Sequence, residues 1–241
     1  MNPSSTPLPL PESIDGREFV MASSTASVVS SQPTRFRYRQ ERQMIWGEYA
    51  GDTVELGRFV GRRDGGRIHI AFAHRSVEGE FAIGEAVSEL AFDESGRLSL
   101  VEHFEKEGRL HTSVCVEAPA TGVADSGLAA SEPRIDGLTV ALESSTASTV
   151  DAEAPTVFRY SERGGIAWGE YAGDTVTGGR FAGVYRDGTL EEWFVHELVA
   201  DGRTLVGDSR TEVRERADGR VELVEEFVLD GVPGRSVCVS R

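Results

Sequence analysis

The sequence predicts an all-β protein that consists of two tandem antiparallel up-and-down β-barrels. Three observations support this fold class: the second half of the chain repeats the first, apolar and polar residues alternate along short segments, and turn residues separate these segments. Alternation with a period of two is typical of strands that are buried on one face. Eight short strands in each half would close most simply into a barrel, because closure leaves no free edges. A two-sheet sandwich is the alternative.

The strongest signal is the internal duplication. The nine residues from Trp46 to Val54 recur unchanged from Trp168 to Val176. Shorter matches on both sides keep almost the same spacing, so the offset between the copies stays between 121 and 123 residues. Self-similarity over such a length indicates a tandem repeat, and the small drift in the offset indicates single-residue insertions in loops.

The duplication also sets the expected domain boundaries. We expect one barrel over residues 14–117 and a second over residues 135–241. Residues 118–134 are rich in Ala, Gly, Ser and Pro, which is typical of a linker. Residues 1–13 are rich in Ser and Pro and lack the basic start and apolar core of a signal peptide, so a disordered tail is expected there.

Each predicted strand ends at a turn signal. In the first copy, strands are predicted near 17–23, 34–40, 43–50, 53–62, 67–75, 81–92, 97–106 and 109–117. Turn residues separate the later strands of this copy, at 51–52, 64–66, 78–79, 95–96 and 107–108. The second copy has Gly-Asp or Asp-Gly pairs at the matching places, 173–174, 187–188, 201–202, 218–219 and 230–231. Such pairs favour tight turns between antiparallel strands.

Composition excludes several classes of function. The 241 residues carry 25 basic and 40 acidic side chains, a formal charge of −15, and no basic patch, which argues against a nucleic-acid partner. No apolar run approaches the ~20 residues of a membrane-spanning helix, so no membrane partner is expected. Two cysteines cannot form a disulfide scaffold, which favours a reducing compartment, and we expect a cytoplasmic location.

Alternation predicts an apolar barrel interior that contains a repeated set of polar side chains. The expected set is Tyr38, Glu48, His74 and Glu102 in the first copy and Tyr160, Glu170, His196 and Glu225 in the second. Arg58 and Arg180 join this set if the fourth strand of each copy points them inward. Because an unpaired buried carboxylate is strongly unfavourable, these groups must pair with each other or bind something.

The second copy indicates which face of the sixth strand points to the barrel interior. Arg210, Glu212 and Arg214 share one face and must meet water, so Ser209, Thr211 and Val213 are expected to turn inward. Their counterparts in the first copy, Ala86, Ser88 and Leu90, would form the floor of a cavity. On the outer face, Val87 and Ala91 replace Arg210 and Arg214, and we expect this apolar strip to pack against the second copy or another chain.

The polar set allows a structural and a functional interpretation. It could be a satisfied hydrogen-bond network that fixes strand register, duplicated with the domain. Alternatively it lines a ligand pocket. The candidate catalytic residues are then Glu48, His74, Glu102, Glu170, His196 and Glu225, and the candidate ligand-binding residues are Tyr38, Trp46, Arg58, Phe72, Tyr160, Trp168, Arg180 and Phe194. No cofactor is expected, and His74 has no second His or Cys at metal-ligand spacing.

The block from Trp46 to Gly61, followed by Phe72 and His74 and then by the segment from Gly96 to Glu102, resembles a group of small bacterial single-domain proteins. These proteins are as long as one copy and are commonly labelled N-acetylglutamate synthase. The shared motifs are glycine turns and core aromatic residues, so the resemblance implies a fold more than a chemistry. The layout also resembles the calycin group (lipocalins, fatty-acid-binding proteins and avidins), whose barrels hold small hydrophobic ligands.

These observations lead to a functional hypothesis with two alternatives. We expect the protein to bind an apolar or polycyclic small molecule in a barrel lumen, in bacterial specialised metabolism. One alternative is a cofactor-independent cyclase or isomerase that acts on a polyketide-like or polyene-like substrate inside the barrel. The other is an interaction module whose barrels are filled by their own side chains. The two repeats are expected to pack on each other, and a homodimer is a further option.

Overall fold

The fold is all-β, as the sequence predicts. The computed structural model describes residues 9–106, 108–119, 121, 128, 135–229 and 231–241. Within these residues the chain forms two closed eight-stranded barrels, in which every strand pairs antiparallel with its neighbour in sequence and the last strand closes on the first. The expected tail and linker lie largely outside the described residues.

The strands of the first barrel are β1 (Glu18–Ser24), β2 (Arg35–Glu41), β3 (Met44–Gly51), β4 (Val54–Asp64), β5 (Arg67–Ser76), β6 (Phe81–Phe92), β7 (Leu98–Lys106) and β8 (Arg109–Ala118). Those of the second are β9 (Thr139–Ser145), β10 (Val157–Arg163), β11 (Ile166–Ala172), β12 (Val176–Arg186), β13 (Thr189–Leu198), β14 (Thr204–Glu215), β15 (Val221–Leu229) and β16 (Val232–Ser240). The predicted strands of the first copy match these bounds to within two residues. The turn signals therefore located the strands correctly.

Glycines inside the barrel give the repeated motif its physical meaning. A Cβ atom at Gly47 would lie 2.4 Å from Cζ of Phe59, and one at Gly57 would lie 2.4 Å from the ring of Tyr49. The second barrel repeats this arrangement at Gly169 and Gly179. Only a residue without a side chain lets an aromatic ring lie flat across the neighbouring strand. The motif thus encodes the packing of the barrel interior.

One end of the first barrel is closed by the segment that precedes β1. Ile14 is fully buried in the core, and its backbone N–H donates to Oε1 of Gln40 at 2.9 Å. The guanidinium of Arg63 donates to the carbonyl oxygens of Pro11 and Gly65 at 2.5 and 2.7 Å. Ile135 is buried in the same way in the second barrel. Any cavity must therefore open at the other end.

The two barrels contact each other through an apolar cluster. Met44 and Val60 pack with Ala182 and Val195, surrounded by Trp46, Trp168 and Trp193. The contact is reciprocal: the guanidinium of Arg58 lies 4.1 Å from the ring centroid of Trp168, and that of Arg180 lies 4.6 Å from the ring centroid of Trp46. Such stacking stabilises an interface by cation–π attraction.

The location of this contact differs from the expectation. The clusters that join the barrels come from β3, β4 and β5 of the first barrel and from β11, β12 and β13 of the second, together with Phe81 and Leu128. They do not include Val87 or Ala91 of β6. The expectation that this strip packs against the second copy was therefore wrong, because the contact uses the outward residues Met44, Trp46 and Val60 of β3 and β4 instead. Packing of the strip against another chain stays a prediction.

Candidate functional site

Each barrel contains a cavity with a mainly apolar wall. The first cavity measures about 560 Å³ and the second about 420 Å³. The wall of the first is formed by Met21, Phe36, Phe59, Ile70, Phe72 and Phe104. Its rim comprises the β1–β2 loop, the β3–β4 turn, the β5–β6 turn and the end of β7, on the opposite side from Ile14. Both volumes lie within the range of about 300–1,000 Å³ typical of small-molecule pockets.

A tyrosine–histidine pair projects into each cavity. The hydroxyl of Tyr49 lies 2.9 Å from Nδ1 of His74, and the hydroxyl of Tyr171 lies 2.9 Å from Nδ1 of His196. Burial, with a smaller contribution from the positive charge of Lys106, lowers the pKa of His74 to about 4. The imidazole is therefore neutral near pH 7, so one ring nitrogen can donate a hydrogen bond while the other accepts one.

A glutamate–serine pair forms the second polar feature of each lumen. The hydroxyl of Ser113 donates to Oε2 of Glu102 at 2.9 Å, and that of Ser236 donates to Oε2 of Glu225 at 2.5 Å. Burial raises the pKa of both carboxyl groups, and the serine hydrogen bonds only partly oppose this effect. A protonated carboxyl group can donate a hydrogen bond, which an ionised one cannot.

The second lumen contains a carboxyl group that the first lacks. Glu192 replaces Ile70, and the facing residue Ser209 replaces Ala86. The hydroxyl of Ser209 donates to Oε1 of Glu192 at 3.2 Å. The expected inward orientation is confirmed by the burial of Ala86, Ser88 and Leu90 on β6 and of Ser209 and Thr211 on β14, while Val213 packs partly buried against the core.

Several predicted site residues do lie in the cavities. Phe72, His74 and Glu102 line the first, and Phe194, His196 and Glu225 line the second. Tyr38 and Tyr160 also point inward, but they pack in the cores rather than line the cavities. The ring of Tyr38, for example, lies 4.7 Å from that of Phe59 between centroids.

Other predicted site residues lie outside the barrels, so their expected place in the lumen was wrong. On β3 the inward residues are Ile45, Gly47 and Tyr49, which turns Trp46 and Glu48 outward. The outward residues line a cleft of about 470 Å³ between the barrels, formed by Trp46, Glu48, Arg58, Trp168, Glu170 and Arg180 among others. In this cleft Glu48 pairs with Arg58 at 3.1 Å and Glu170 with Arg180 at 3.5 Å.

Sequence reasoning missed Tyr49, Tyr171 and Glu192 as lumen residues. For the tyrosines the available signal was the pair of opposite charges that Glu48 and Arg58 form at facing positions of β3 and β4. Such a pair is stable on an outer surface, and the neighbouring residue Tyr49 must then point inward. For Glu192 the signal was its position two residues before Phe194, which places it on the same face of β13 as the predicted site residues Phe194 and His196.

Two further features are absent from the part of the chain that the structure describes. Among the described residues, no group of three or more His, Cys, Asp or Glu side chains is placed to hold a metal ion. The same residues contain no helix that is long and apolar enough to cross a membrane.

Comparisons with known proteins identify a family. Among solved structures, the chain is similar to a candidate outer membrane protein of Bacteroides fragilis, with 8% identity, a TM-score of 0.30 and coverage of 95% of this chain and 97% of that one. It is also similar to a variant of transferrin-binding protein B from Haemophilus parasuis, with 6% identity, a TM-score of 0.29 and coverage of 87% and 65%. No curated protein matches the chain. The sequence model of the avidin-like proteins matches residues 12–118 and again residues 133–240. Because these two matches span most of the sequence, the chain belongs to the avidin-like protein family.

Proposed function

We propose that each barrel binds an apolar small molecule in its lumen and that the two polar pairs anchor the polar end of this ligand. One observation carries the proposal: a tyrosine–histidine pair and a glutamate–serine pair face an apolar cavity at equivalent positions in both barrels. Membership of the avidin-like family is compatible with the binding of a small molecule in a barrel.

The chemistry of the first lumen favours an uncharged ligand. His74 is neutral near pH 7, and the raised pKa of Glu102 favours its protonated form. Neutral donors and acceptors in an apolar wall suit a carbonyl or hydroxyl group, since desolvating such a group costs far less than desolvating an ion. An apolar or polycyclic body would fill the remaining volume against Phe36, Phe59 and Phe72.

The cyclase or isomerase hypothesis stays a prediction. Its proposed carboxylates Glu48 and Glu170 lie in the cleft between the barrels, so proton transfer inside a lumen would fall to His74 and Glu102 or to their counterparts. Turnover of a bound substrate that is lost in His74→Gln, while affinity is retained, would favour the enzyme over the carrier.

The proposal is tested with Nile red, an uncharged dye whose emission rises in apolar surroundings. Ala82 faces His74 on the inner side of β6, and Leu205 faces His196 on β14. Ala82→Trp and Leu205→Trp should each obstruct one cavity. We expect two dye sites in the unmodified protein, one in each single variant and none in the double variant.

The matched control is Glu89→Trp, which adds the same ring on the exposed side of β6. This variant should bind the dye as the unmodified protein does. Unchanged dye binding by the double variant would overturn the proposal.

A further inference from the structure

We propose that the second barrel selects a cationic amine carried on an apolar body, whereas the first barrel takes an uncharged ligand. This inference rests on the proposed lumen binding and names the ligand class of one of the two sites. It follows from the residues that differ between two otherwise equivalent cavities.

Two facing positions differ together between the two lumens. Ile70 and Ala86 face each other across β5 and β6, and their counterparts Glu192 and Ser209 face each other across β13 and β14. The replacement therefore brings in a carboxyl group together with a hydroxyl that donates to it at 3.2 Å. A hydrophobic position in the wall of the first lumen thus corresponds to a hydrogen-bonded carboxyl group in the second.

The second oxygen of the Glu192 carboxyl group faces a different situation from the first. Glu192 is only 5% exposed and lines the second cavity. The Thr211 hydroxyl is near enough to lower the pKa of this carboxyl group, but among the described residues no group makes a well-formed hydrogen bond to its Oε2 atom. A buried carboxyl oxygen without a partner is costly, by an amount comparable to a lost hydrogen bond or more. A ligand that donates to this atom would remove that cost.

The two cavities also differ in the charged residues that line them. The described residues that line the second cavity include Asp174, Glu192 and Glu225 but no Lys or Arg, whereas the first cavity has Lys106 together with Glu78, Glu80, Glu102 and Glu105. The difference that matters is therefore the additional carboxyl group of Glu192, with no Lys or Arg among the described lining residues. The formal charge of the whole chain is −15, which also attracts cations. The best complement to the carboxyl group of Glu192 is an ammonium group, because its bond to a carboxylate is charge-assisted.

The rest of the second cavity fits an apolar body. Its wall includes Phe158, Phe181, Phe194 and Phe227, and Leu198 and Val199 stand at its rim. An aromatic or alicyclic amine could bury its hydrocarbon part against these rings while its nitrogen reaches Oε2 of Glu192.

Binding of this kind displaces a proton. Burial, and then the neighbouring Glu225, raises the pKa of Glu192, which favours the protonated form of its carboxyl group. When an ammonium ion binds, the carboxyl proton leaves to solvent and an ammonium–carboxylate pair remains. Other titratable groups face this lumen from the neighbouring strands, namely Tyr160, Tyr171, Asp174, His196, Glu225 and Cys238.

The test compares two probes of nearly the same shape by isothermal titration calorimetry. 1-Naphthylmethylamine is a cation at neutral pH, and 1-naphthalenemethanol is uncharged. We expect one site in the unmodified protein that prefers the amine by at least about tenfold, as one charge-assisted hydrogen bond would give. Amine binding should also release protons, which titrations in buffers of different ionisation enthalpy detect.

Two variants locate the effect. Glu192→Gln keeps the size of the side chain and should remove the preference for the amine and the proton release while leaving alcohol binding intact. The double variant Ile70→Glu with Ala86→Ser copies the pair into the first barrel and should add a second amine site. This gain of binding does not depend on the folding of Glu192→Gln.

The outcomes separate this inference from the proposed function. If Nile red and the alcohol occupy both lumens but the amine is not preferred, or if the preference persists in Glu192→Gln, the inference is wrong and lumen binding stands. If neither probe nor Nile red binds, both are wrong.

Discussion

Two adjacent glycines on β12 provide a sharp test of the barrel interior. Gly179 faces inward beneath Tyr171, whereas Gly178 faces outward near Met44. A Cβ atom at residue 179 would lie 2.3 Å from Cζ of Tyr171, although ordinary contact begins near 3.4 Å. The ring would have to retreat by about 1 Å, but Phe158 is stacked on it with 4.7 Å between the ring centroids. Gly179→Ala should therefore overpack the lumen wall and break the hydrogen bond of Tyr171 to His196.

The expected cost follows from this geometry. Overpacking a well-packed core costs about 1–3 kcal/mol. For a chain of this size that unfolds as one unit, each kcal/mol lowers the melting temperature by about 2–4 °C. At Gly178 the nearest atom to a new Cβ is Cε of Met44 at 3.8 Å, an ordinary contact. Gly178→Ala should thus be neutral or should stabilise by about 0.4–1 kcal/mol, because it reduces the entropy of the unfolded chain.

Differential scanning calorimetry of the full chain measures both effects under the same conditions. A fall in melting temperature for Gly179→Ala, together with no fall for Gly178→Ala, is the expected pattern. Equal melting temperatures for the two variants would refute the packing of Tyr171 on Gly179, and with it the explanation of the repeated glycine motif.

Three further predictions concern titration and the barrel–barrel contact. Because the pKa of His74 is lowered to about 4 in the folded state, its neutral form stabilises the fold above the ordinary histidine pKa of ~6.5, and this stabilisation is lost as the pH falls towards 4. His74→Gln should flatten the urea-unfolding free energy over that range, and an unchanged slope would contradict the shift. Because the pKa of Glu192 is raised in the folded state, its protonated form stabilises the fold fully below the ordinary glutamate pKa of ~4.3. This stabilisation is lost as the pH rises. Glu192→Gln should gain stability relative to the unmodified protein between pH 5 and 8, and a gain on the acid side instead would contradict the assignment. Arg180→Ala and Trp46→Leu should show a coupling energy of about 0.5–2 kcal/mol in a double-mutant cycle of unfolding. Purely additive effects on the unfolding free energy would contradict the cation–π contact.

The fold was largely predictable because the chain carries two independent versions of the same pattern. Where one copy is ambiguous, the other resolves it: the arginines at 210 and 214 oriented the sixth strand, and the inward burial of Ser209 and Ala86 followed. Turn pairs in both copies located the ends of the strands. Strand number and order then followed from sequential antiparallel pairing.

The site was only partly predictable, and the reason is physical. Alternation reveals the inner face of a strand only when the other face meets water. On β3 both faces are buried: Ile45 and Tyr49 in the lumen, and Met44 and Trp46 against the second barrel. The strand therefore has apolar residues in both phases, and the sequence alone could not show which phase is internal. On strand β7 the outward residues His103 and Glu105 are exposed, and there alternation placed Glu102 correctly in the lumen.

The outward orientation of the tryptophans determines whether their fluorescence can report on a ligand in a lumen. The chain contains three tryptophans, at 46, 168 and 193, and all three pack in the cluster between the barrels. Tyr49 and Phe72, by contrast, line the first cavity. Occupation of a lumen by an uncharged, non-absorbing ligand should therefore leave the tryptophan emission maximum unchanged, whereas Arg180→Ala should shift it by exposing Trp46. A red or blue shift on lumen binding that persists in Arg180→Ala would mean that the tryptophans contact the ligand, and would contradict the outward orientation of β3.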